Sequence, residues 1–313
     1  MLKTDRLLVL FVILMGVLFV TACSPVFSNT QPAMTPSPTI EPTQTEITLE
    51  ITRNSPTPEP SLTPTEIPST PTPSHTPTPS HTATPLWNYN EPGEVIAPIL
   101  LYHHVEGESS LSRYNVSIPE FRAQMQALDE LGFTPIPIST LVTALLDGGE
   151  LPDKPVVITF DDGHLSVYEN AFPIMQELGF PGVFYIVANR INGSPDFVTI
   201  PQLKKMIEAG WEIGSHSFSH ADLTLNHAIA AKEIGQSKTD LEAALSIDVE
   251  TFAYPFGTID PFIAQKVSDY EYRAGMGLGT SKTHTWNTLY YLNRIEIYGY
   301  TTVEEFKEIL TSE

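Results

Sequence analysis

A proline-rich tract of 67 residues divides this chain and confines compact folding to the part that follows it. Residues 24–90 hold 15 of the 28 prolines, mixed with Thr and Ser in short repeats at residues 71–82. Such a composition cannot bury a core and favours extended, polyproline-like conformations. We therefore predict a disordered Pro/Thr/Ser-rich linker over 24–90, which acts as a stalk for one globular domain over 91–313.

The first 23 residues predict export and a lipid anchor. Lys3 and Arg6 precede an apolar run over residues 7–20, which is shorter than the roughly 20 residues that a membrane-spanning helix needs. The run ends in Val-Thr-Ala-Cys at Cys23, the only cysteine of the sequence, and this ending resembles the lipobox of bacterial lipoproteins. We expect a signal peptide over 1–23 and a protein held at the cell surface through lipidated Cys23. An ordinary signal peptide with an incidental cysteine is the alternative.

The charge balance argues against nucleic acid as a partner. The sequence holds 37 Asp and Glu against 16 Lys and Arg, a formal net charge of -21, whereas phosphate binding needs a basic face. The single cysteine excludes a disulfide framework and a Cys-rich metal site. No protein partner is inferred from the sequence.

Strand and helix patterns alternate about seven times over residues 91–313, which predicts parallel strands covered by helices. An open doubly wound sheet would give the same alternation, but no Gly-rich phosphate loop follows the first strand. The pattern therefore favours a distorted (β/α) barrel of about seven parallel strands. The predicted strands cover residues 98–102, 156–160, 182–187, 211–214, 251–254, 272–275 and 291–297.

The sequence Thr-Phe-Asp-Asp-Gly at residues 159–163 places Asp161 and Asp162 at the end of an apolar strand. Two carboxylates in such a position are costly unless a cation offsets them. A divalent metal would do so, and because adjacent residues point in different directions, one carboxylate can bind the metal while the other moves a proton. An Asx turn or a helix cap in the loop is the alternative.

A histidine pair, His216 and His220, directly follows another predicted strand. Two histidines four residues apart can share one metal ion on a helical turn. Zinc peptidases with the HExxH motif would need Glu where Ser217 stands. Together with Asp162, the pair would form a two-His, one-carboxylate set that leaves positions for water and substrate. A structural or incidental pair is the alternative.

Four predicted strand ends carry polar or aromatic residues of this kind. Besides the Asp pair and the His pair, they are His103-His104 near the start of the domain and Ala-Tyr-Pro-Phe-Gly at residues 253–257. In a parallel barrel the carboxyl ends of all strands gather on one face, where catalysis is found. The sequence therefore predicts one catalytic site on this face.

The three patterns TFDDG, HSFSH and AYPFG resemble the polysaccharide deacetylase family (family 4 carbohydrate esterases, the NodB-homology domain), and the similarity extends over residues 97–311. The resemblance implies a distorted (β/α) barrel, Zn²⁺ or another divalent ion such as Co²⁺ or Ni²⁺, and hydrolysis of N-acetyl groups from amino-sugar polymers. It also implies roles for seven residues: Asp161 as general base; Asp162, His216 and His220 as metal ligands; and Tyr254, Pro255 and Phe256 at the acetyl pocket, with the Phe256 N–H as oxyanion donor.

Two departures from the family pattern concern the general acid and an arginine. The family's last motif, Leu-x-His, supplies the acid, but here Leu-x-His stands at the front and ends in His103. This arrangement resembles the branch that deacetylates poly-N-acetylglucosamine, in which the last motif is permuted, so we predict His103 as general acid. The family's usual arginine is replaced by Ala253, and Arg294 on a late strand is a candidate to orient Asp161 instead. A surface ion pair is the alternative for Arg294.

We therefore predict a metal-dependent hydrolase that removes N-acetyl groups from N-acetylglucosamine units of an extracellular or cell-wall polysaccharide. Poly-N-acetylglucosamine is the first expected substrate, before peptidoglycan and chitin-like oligomers. The expected partners are this N-acetylated polysaccharide and the membrane, through Cys23. Three alternatives remain: an O-acetyl esterase on a plant-type glycan, a non-catalytic tethered glycan-binding lipoprotein, and a hydrolase of a small non-sugar amide. Trp286 and Tyr298 are candidates to stack on sugar rings.

Overall fold

The structure, a computed structural model, describes residues 86–109 and 112–312. Within these residues the centre of the fold is a curved sheet of parallel strands, each short and almost wholly buried. Its seven main strands are β1 (Ile99–Tyr102), β2 (Pro155–Phe160), β3 (Val183–Ile186), β4 (Glu212–Ser215), β5 (Thr251–Ala253), β6 (Ala274–Met276) and β7 (Ile295–Glu296).

The strands follow one another around a barrel in chain order. Each strand from β1 to β5 pairs in parallel with the next, and β7 pairs in parallel with the free side of β1. The two ends of the sheet are joined as well, because the N–H of Gly277 donates to the carbonyl of Leu292 at 2.8 Å and that of Gly279 donates to the carbonyl of Arg294 at 3.1 Å. The predicted distorted (β/α) barrel is confirmed, and all seven predicted strands are present.

The barrel interior is filled by alternate strand residues, as the period of two along a strand requires. One buried cluster contains Ile99, Val157 and Val183 from three strands. It also contains Leu141 and Leu145 of the helix Ile138–Asp147, which lies in the connection between β1 and β2. This helix therefore packs against the amino ends of the strands. The opposite, carboxyl-terminal end carries the polar residues that were predicted to form the site.

Helices cover the outside of the barrel, and their starts follow the sequence signals. The Ser117 hydroxyl accepts the N–H of Glu120, and Thr199 and Gln202 form a complete capping box. The α-helices among the described residues are α1 (Ile118–Glu130), α2 (Ile138–Asp147), α3 (Phe172–Leu178), α4 (Ile200–Glu208), α5 (Ser237–Leu245), α6 (Pro261–Asp269) and α7 (Val303–Thr311); π-helical turns precede α3 (Val167–Ala171) and α5 (Ala231–Gln236).

Short strands extend the structure beyond the barrel. One of them, Trp87–Asn90, lies in the stretch that the sequence assigned to the linker. It pairs antiparallel with Gly149–Pro152, so this strand precedes the predicted boundary at 91 and finds its partner after α2. The other short pairs are Glu94–Ile96 with Thr283–Thr285, His104–Val105 with Asn115–Val116, and Thr134–Pro135 with the start of β2.

The predicted signal peptide over 1–23, lipidated Cys23 and residues 24–85 of the linker lie outside the described residues. Among the helices of residues 86–109 and 112–312, none has the length and apolar character needed to cross a membrane.

One histidine is buried far from the predicted site. His284 is 0% exposed in the strand Thr283–Thr285, which pairs with the chain just before β1. Its Nε2 lies 2.9 Å from the carbonyl of Ala97, whereas its Nδ1 has no hydrogen-bond partner among the described residues. The ring is therefore accommodated in its neutral form, with Nε2 as the donor.

This burial predicts a pH-dependent contribution to stability. Burial lowers the pKa of His284, an effect that its hydrogen bond to Ala97 only partly offsets. A lowered folded-state pKa means that stability is fully present above the unfolded pKa of about 6.5 and is lost as the pH falls toward the folded value. We expect His284→Gln to flatten the fall of Tm between about pH 7 and pH 5. Calorimetry at several pH values measures this, and equal slopes for variant and wild type would contradict it.

Candidate active site

Five barrel strands contribute to one pocket of about 310 Å³ at their carboxyl ends. The pocket includes every residue that the sequence assigned to the site except Pro255, which lies in the chain between two lining residues. The lining side chains that bear on the chemistry are His103, Asp161, Asp162, His216, His220, Tyr254, Phe256, Arg294 and Glu296.

Asp161 and Arg294 form a buried, bidentate ion pair. Arg294 Nη1 and Nη2 donate to the two carboxylate oxygens of Asp161, each at 2.7 Å, and both residues are at most 2% exposed. Burial alone raises the pKa of Asp161, but the Arg294 guanidinium and the His216 imidazole outweigh it and lower the pKa to about 2. The carboxylate is therefore ionised at neutral pH and fixed in orientation. The surface ion pair that was the alternative for Arg294 is not what the structure has.

Asp162, His216 and His220 form a possible metal-binding group, with one ligand atom from each residue and all three atoms within 4.8 Å of one another. His216 Nδ1 lies 2.8 Å from the carbonyl of Ala253, which fixes Nδ1 as the donor and leaves Nε2 as the nitrogen available to an ion. Two imidazole nitrogens and a carboxylate, partly buried beside a second carboxylate, suit a divalent transition metal.

The loop that carries the two histidines is not the helical turn that their spacing suggested. Ser217 and His220 both have left-handed backbone conformations, with φ of 66° and 64°, which residues other than glycine rarely adopt. The Ser217 hydroxyl accepts the N–H of His220 at 2.8 Å and closes the turn. Asp162, at φ 75°, shares this conformation. Such backbone strain at several predicted site residues is typical of functional sites.

A buried glutamate that the sequence analysis missed holds this loop. Glu233 is 3% exposed, and its two carboxylate oxygens accept the N–H of Ser219 at 2.8 Å and the Ser219 hydroxyl at 2.7 Å. The backbone carbonyl of Glu233 also accepts the N–H of Phe218. Because Ser219 immediately precedes His220, these bonds position a predicted metal ligand. Glu233 lies in the π-helical turn before α5, a feature that often marks functional sites.

A second missed residue, Arg190, contacts the other side of the predicted metal group. Its Nη1 donates to Asp162 Oδ1 at 2.9 Å, while His220 Nε2 lies 3.4 Å from the same oxygen. Burial raises the pKa of Asp162, but the neighbouring histidines outweigh it and the pKa is lowered. A hydrogen bond of this kind orients a ligating carboxylate. Arg190 ends a single turn of 3-10 helix (Ala188–Arg190) that carries no motif, so it could not be recognised from the sequence.

His103 lies on the opposite wall of the pocket. Its Nδ1 is buried without a hydrogen-bond partner among the described residues, and the nearest carboxylate, Glu296, is 4.0 Å away. Burial lowers the pKa of His103, while Asp161 and Asp162 act in the opposite direction. The neighbouring His104 also lines the pocket, and the centre of its ring lies 3.7 Å from that of the His164 ring.

The Tyr254–Phe256 segment forms a third wall. The Tyr254 ring is buried and its hydroxyl donates to the carbonyl of Tyr290 at 2.8 Å. Burial raises the pKa of Tyr254, so its hydroxyl stays neutral. Phe256 is 60% exposed, has a left-handed backbone at φ 61°, and sets its ring edge against His220 at 4.6 Å. The segment thus contributes one buried ring and one exposed ring to the pocket.

The comparison with protein families agrees with this geometry. The sequence model described as Polysaccharide deacetylase matches residues 148–275, a stretch that runs from just before β2 to β6 and contains both the Asp pair and the His pair. This stretch of the chain is therefore similar to polysaccharide deacetylases. It carries the polar residues Asp161, Asp162, His216 and His220, which gather at the carboxyl ends of the strands.

Individual relatives are distant and match somewhat more than half of the chain. A Bacillus subtilis (strain 168) protein named as a polysaccharide deacetylase, YxkH, is 25% identical over 201 residues, 64% of this chain and 71% of the relative. A poly-beta-1,6-N-acetyl-D-glucosamine N-deacetylase from Staphylococcus epidermidis is 28% identical over 185 residues, 54% of this chain and 63% of the relative.

Among solved structures, the Streptococcus pyogenes deacetylase PplD in complex with acetate is similar in fold. It has a TM-score of 0.62 at 24% identity, and the alignment covers 72% of this chain and 99% of PplD.

The ion pair predicts a strong and non-additive effect on stability. Arg294→Met leaves the Asp161 carboxylate buried without its partner, and we expect a loss of about 3–5 kcal/mol in the free energy of unfolding. The double variant Asp161→Asn/Arg294→Met removes the buried charge and should lose less than Arg294→Met alone. Urea denaturation measures both values. If the double variant loses as much stability as Asp161→Asn and Arg294→Met lose separately, added together, the two residues do not depend on each other.

The loop anchor predicts a change in metal affinity. Glu233→Gln removes one acceptor from Ser219, so the His220 ligand is held less firmly, and we expect zinc affinity to fall about 10–100-fold. Glu208→Gln, on an exposed glutamate at the end of α4, is the matched control and should bind zinc like the wild type. Titration calorimetry compares the three proteins, and unchanged affinity in Glu233→Gln would refute the anchoring role.

Proposed function

We propose that this protein is a metal-dependent N-deacetylase that removes acetyl groups from N-acetylglucosamine units of an extracellular polymer. The observation that carries the proposal is the grouping of Asp162, His216 and His220 within 4.8 Å, beside the Asp161 carboxylate that Arg294 holds. Zn²⁺ is the ion we assign, with Co²⁺ or Ni²⁺ as substitutes, because imidazole nitrogens and a carboxylate suit these ions.

The chain's own residues divide the hydrolysis between two walls of the pocket. A divalent ion held by the metal group would supply Lewis acidity, which would polarise the acetyl carbonyl and make water more acidic. Asp161 accepts one proton of the water whose oxygen bonds to the carbonyl carbon, and the Phe256 N–H donates to the oxygen on which negative charge develops. His103, in its protonated form, gives a proton to the amide nitrogen as the C–N bond breaks, and the amine and acetate leave. Asp161 then releases its proton and His103 takes one up, which restores both groups.

The low pKa of Asp161 keeps this carboxylate ionised at neutral pH. At a pKa of about 2 the carboxylate is a weak base, so its effectiveness in proton transfer depends on its fixed position. The bidentate bond to Arg294 fixes the carboxylate plane. Asp161 therefore accepts the proton without first reorganising.

Poly-N-acetylglucosamine is the polymer we propose, ahead of peptidoglycan and chitin-like oligomers. The relative from Staphylococcus epidermidis is named for this substrate, and Leu-x-His stands before the barrel's second strand, as in that branch. The acidity of residues 91–313, with 31 acidic and 13 basic residues, suits a product that gains cationic amines. We further propose that Cys23 anchors the chain to a membrane and that residues 24–90 carry the domain away from it.

Two substitutions test the assignment of roles. Asp161→Asn should abolish acetate release from poly-N-acetylglucosamine oligomers while the protein keeps one equivalent of zinc, because the base is lost and the metal group is intact. His216→Ala should lose both activity and zinc. Acetate assays and metal analysis measure the two properties. Near-normal turnover by Asp161→Asn would show that another group takes the proton.

Matched substrates test whether the protein cleaves N-acetyl amides or O-acetyl esters. Acetate release from N-acetylglucosamine oligomers should exceed release from O-acetylated xylan at equal acetyl concentration. The reverse preference would identify an O-acetyl esterase on the same barrel. A folded, zinc-bound protein that releases acetate from neither would contradict the proposed function.

A further inference from the structure

Two tyrosines and an arginine next to the catalytic pocket are not used by the reaction. They are Tyr298 and Tyr300, which follow β7, and Arg113, which lines the pocket beside His103. We call these three residues the tyrosine shelf. Tyr300 is 68% exposed, and exposed apolar surface beside a cleft often marks a ligand-binding groove.

The tyrosine shelf is held rigidly by its own contacts. The Arg113 guanidinium lies 4.5 Å from the centre of the Tyr298 ring, and its Nη2 also donates to the Tyr298 hydroxyl at 2.9 Å. The Tyr298 and Tyr300 rings stack at 5.2 Å with an angle of 24° between their planes. The N–H of Gly299 donates to the carbonyl of Arg113 at 2.8 Å. The rings are therefore positioned before any ligand arrives, which reduces the entropy cost of binding.

The charge of the tyrosine shelf does not suit an anion. Arg113 Nη2 lies 3.0 Å from Glu296 Oε2, so the only cation of the shelf, as the described residues have it, is paired with a carboxylate. The remaining surface offers ring faces and hydroxyl groups. Tyrosine supplies large, rigid and amphipathic contact area, which suits a neutral ligand with apolar faces and hydroxyl edges, such as a pyranose ring.

The tyrosine shelf also adjoins the catalytic residues. Glu296 joins it to the catalytic wall, because one oxygen of this carboxylate faces Arg113 and the other lies 4.0 Å from His103 Nδ1. A polymer whose acetylated unit lies between His103 and the metal group must leave the pocket on some side, and this side offers preformed stacking surface.

We propose that the tyrosine shelf binds a sugar ring of the polymer that neighbours the unit being deacetylated, with Tyr300 stacking on the ring face. This inference rests on the proposed function, since it assumes a polymer of pyranose units. Its consequence is a preference for longer chains, because Tyr300 lies outside the lining of the pocket that holds the acetylated unit.

Three variants of the full chain test whether ligand binding depends on the Tyr300 ring, on its hydroxyl group and on its position. Tyr300→Ala removes the ring, Tyr300→Phe keeps it, and Tyr89→Ala removes a tyrosine of similar exposure (63%) from the short strand before the barrel. The probe is the hexasaccharide of β-1,6-linked N-acetylglucosamine. Its binding to metal-stripped protein is measured by titration calorimetry, and acetate release is measured with zinc present.

We expect Tyr300→Ala to weaken hexasaccharide binding about five- to tenfold, in line with the strength of aromatic stacking contacts. Tyr300→Phe and Tyr89→Ala should bind like the wild type. In the acetate assay, Tyr300→Ala should raise KM for the hexasaccharide by a similar factor and change kcat little. Circular dichroism melts confirm that the variants are folded.

Failure of this inference is distinguishable from failure of the proposed function. Acetate release by the wild type, together with unchanged hexasaccharide binding in Tyr300→Ala, would overturn the shelf and leave the function standing. Tyr300-dependent binding without acetate release would overturn the proposed function and leave the shelf standing. Weakening by Tyr300→Phe as large as that by Tyr300→Ala, equal weakening by Tyr89→Ala, or no hexasaccharide binding by the wild type would each overturn the stacking role.

Discussion

The ion pair between Asp161 and Arg294 connects the fold of this protein to its chemistry. Arg294 lies in the segment that closes the barrel, where its carbonyl accepts the N–H of Gly279 and its Nε donates to the carbonyl of Gly277 at 3.3 Å. The guanidinium also lies 5.3 Å from the centre of the Tyr185 ring on β3. One side chain thus joins the late strands, the barrel interior and the carboxylate that follows β2. Because a buried charge without its partner is strongly destabilising, closing the barrel and ionising Asp161 depend on each other.

The carboxylate half of the site depends on this fixed point. Asp162 is the next residue in the chain, so holding Asp161 also limits where the Asp162 carboxylate can lie, and Arg190 completes that restraint. The histidine loop is positioned independently, through the backbone hydrogen bond to His216 and through Glu233. The site is therefore assembled from two separately anchored loops, and the left-handed backbone of Asp162 and His220 is maintained by these contacts.

Much of this arrangement could be predicted from the sequence, and the exceptions have physical reasons. Apolar strand runs and the polar residues that follow them are local signals. The seven strands could therefore be predicted, and the Asp pair and the His pair could be placed on one face of the barrel. Arg294 could be named only as a candidate, because its partner is 133 residues away in the chain. Glu233 carries no local signal at all, since a glutamate in a helical pattern normally faces solvent.

Local signals also misjudged two details. The spacing of the histidines fits a helical turn, but the Ser217 hydroxyl stabilises a tighter, left-handed loop instead. The strand Trp87–Asn90 adjoins the proline-rich tract, and its partner, Gly149–Pro152, is distant in sequence. In both cases the outcome was decided by a contact that composition and periodicity do not report.

We propose that this ionised, positioned carboxylate works together with one divalent ion. The most direct measurement is acetate release from poly-N-acetylglucosamine by metal-stripped protein as zinc is added in steps. We expect no acetate without metal and a rate that rises until one equivalent is bound and then stays level. Full activity in the metal-stripped protein, or one bound equivalent of zinc with no acetate released, would contradict this proposal.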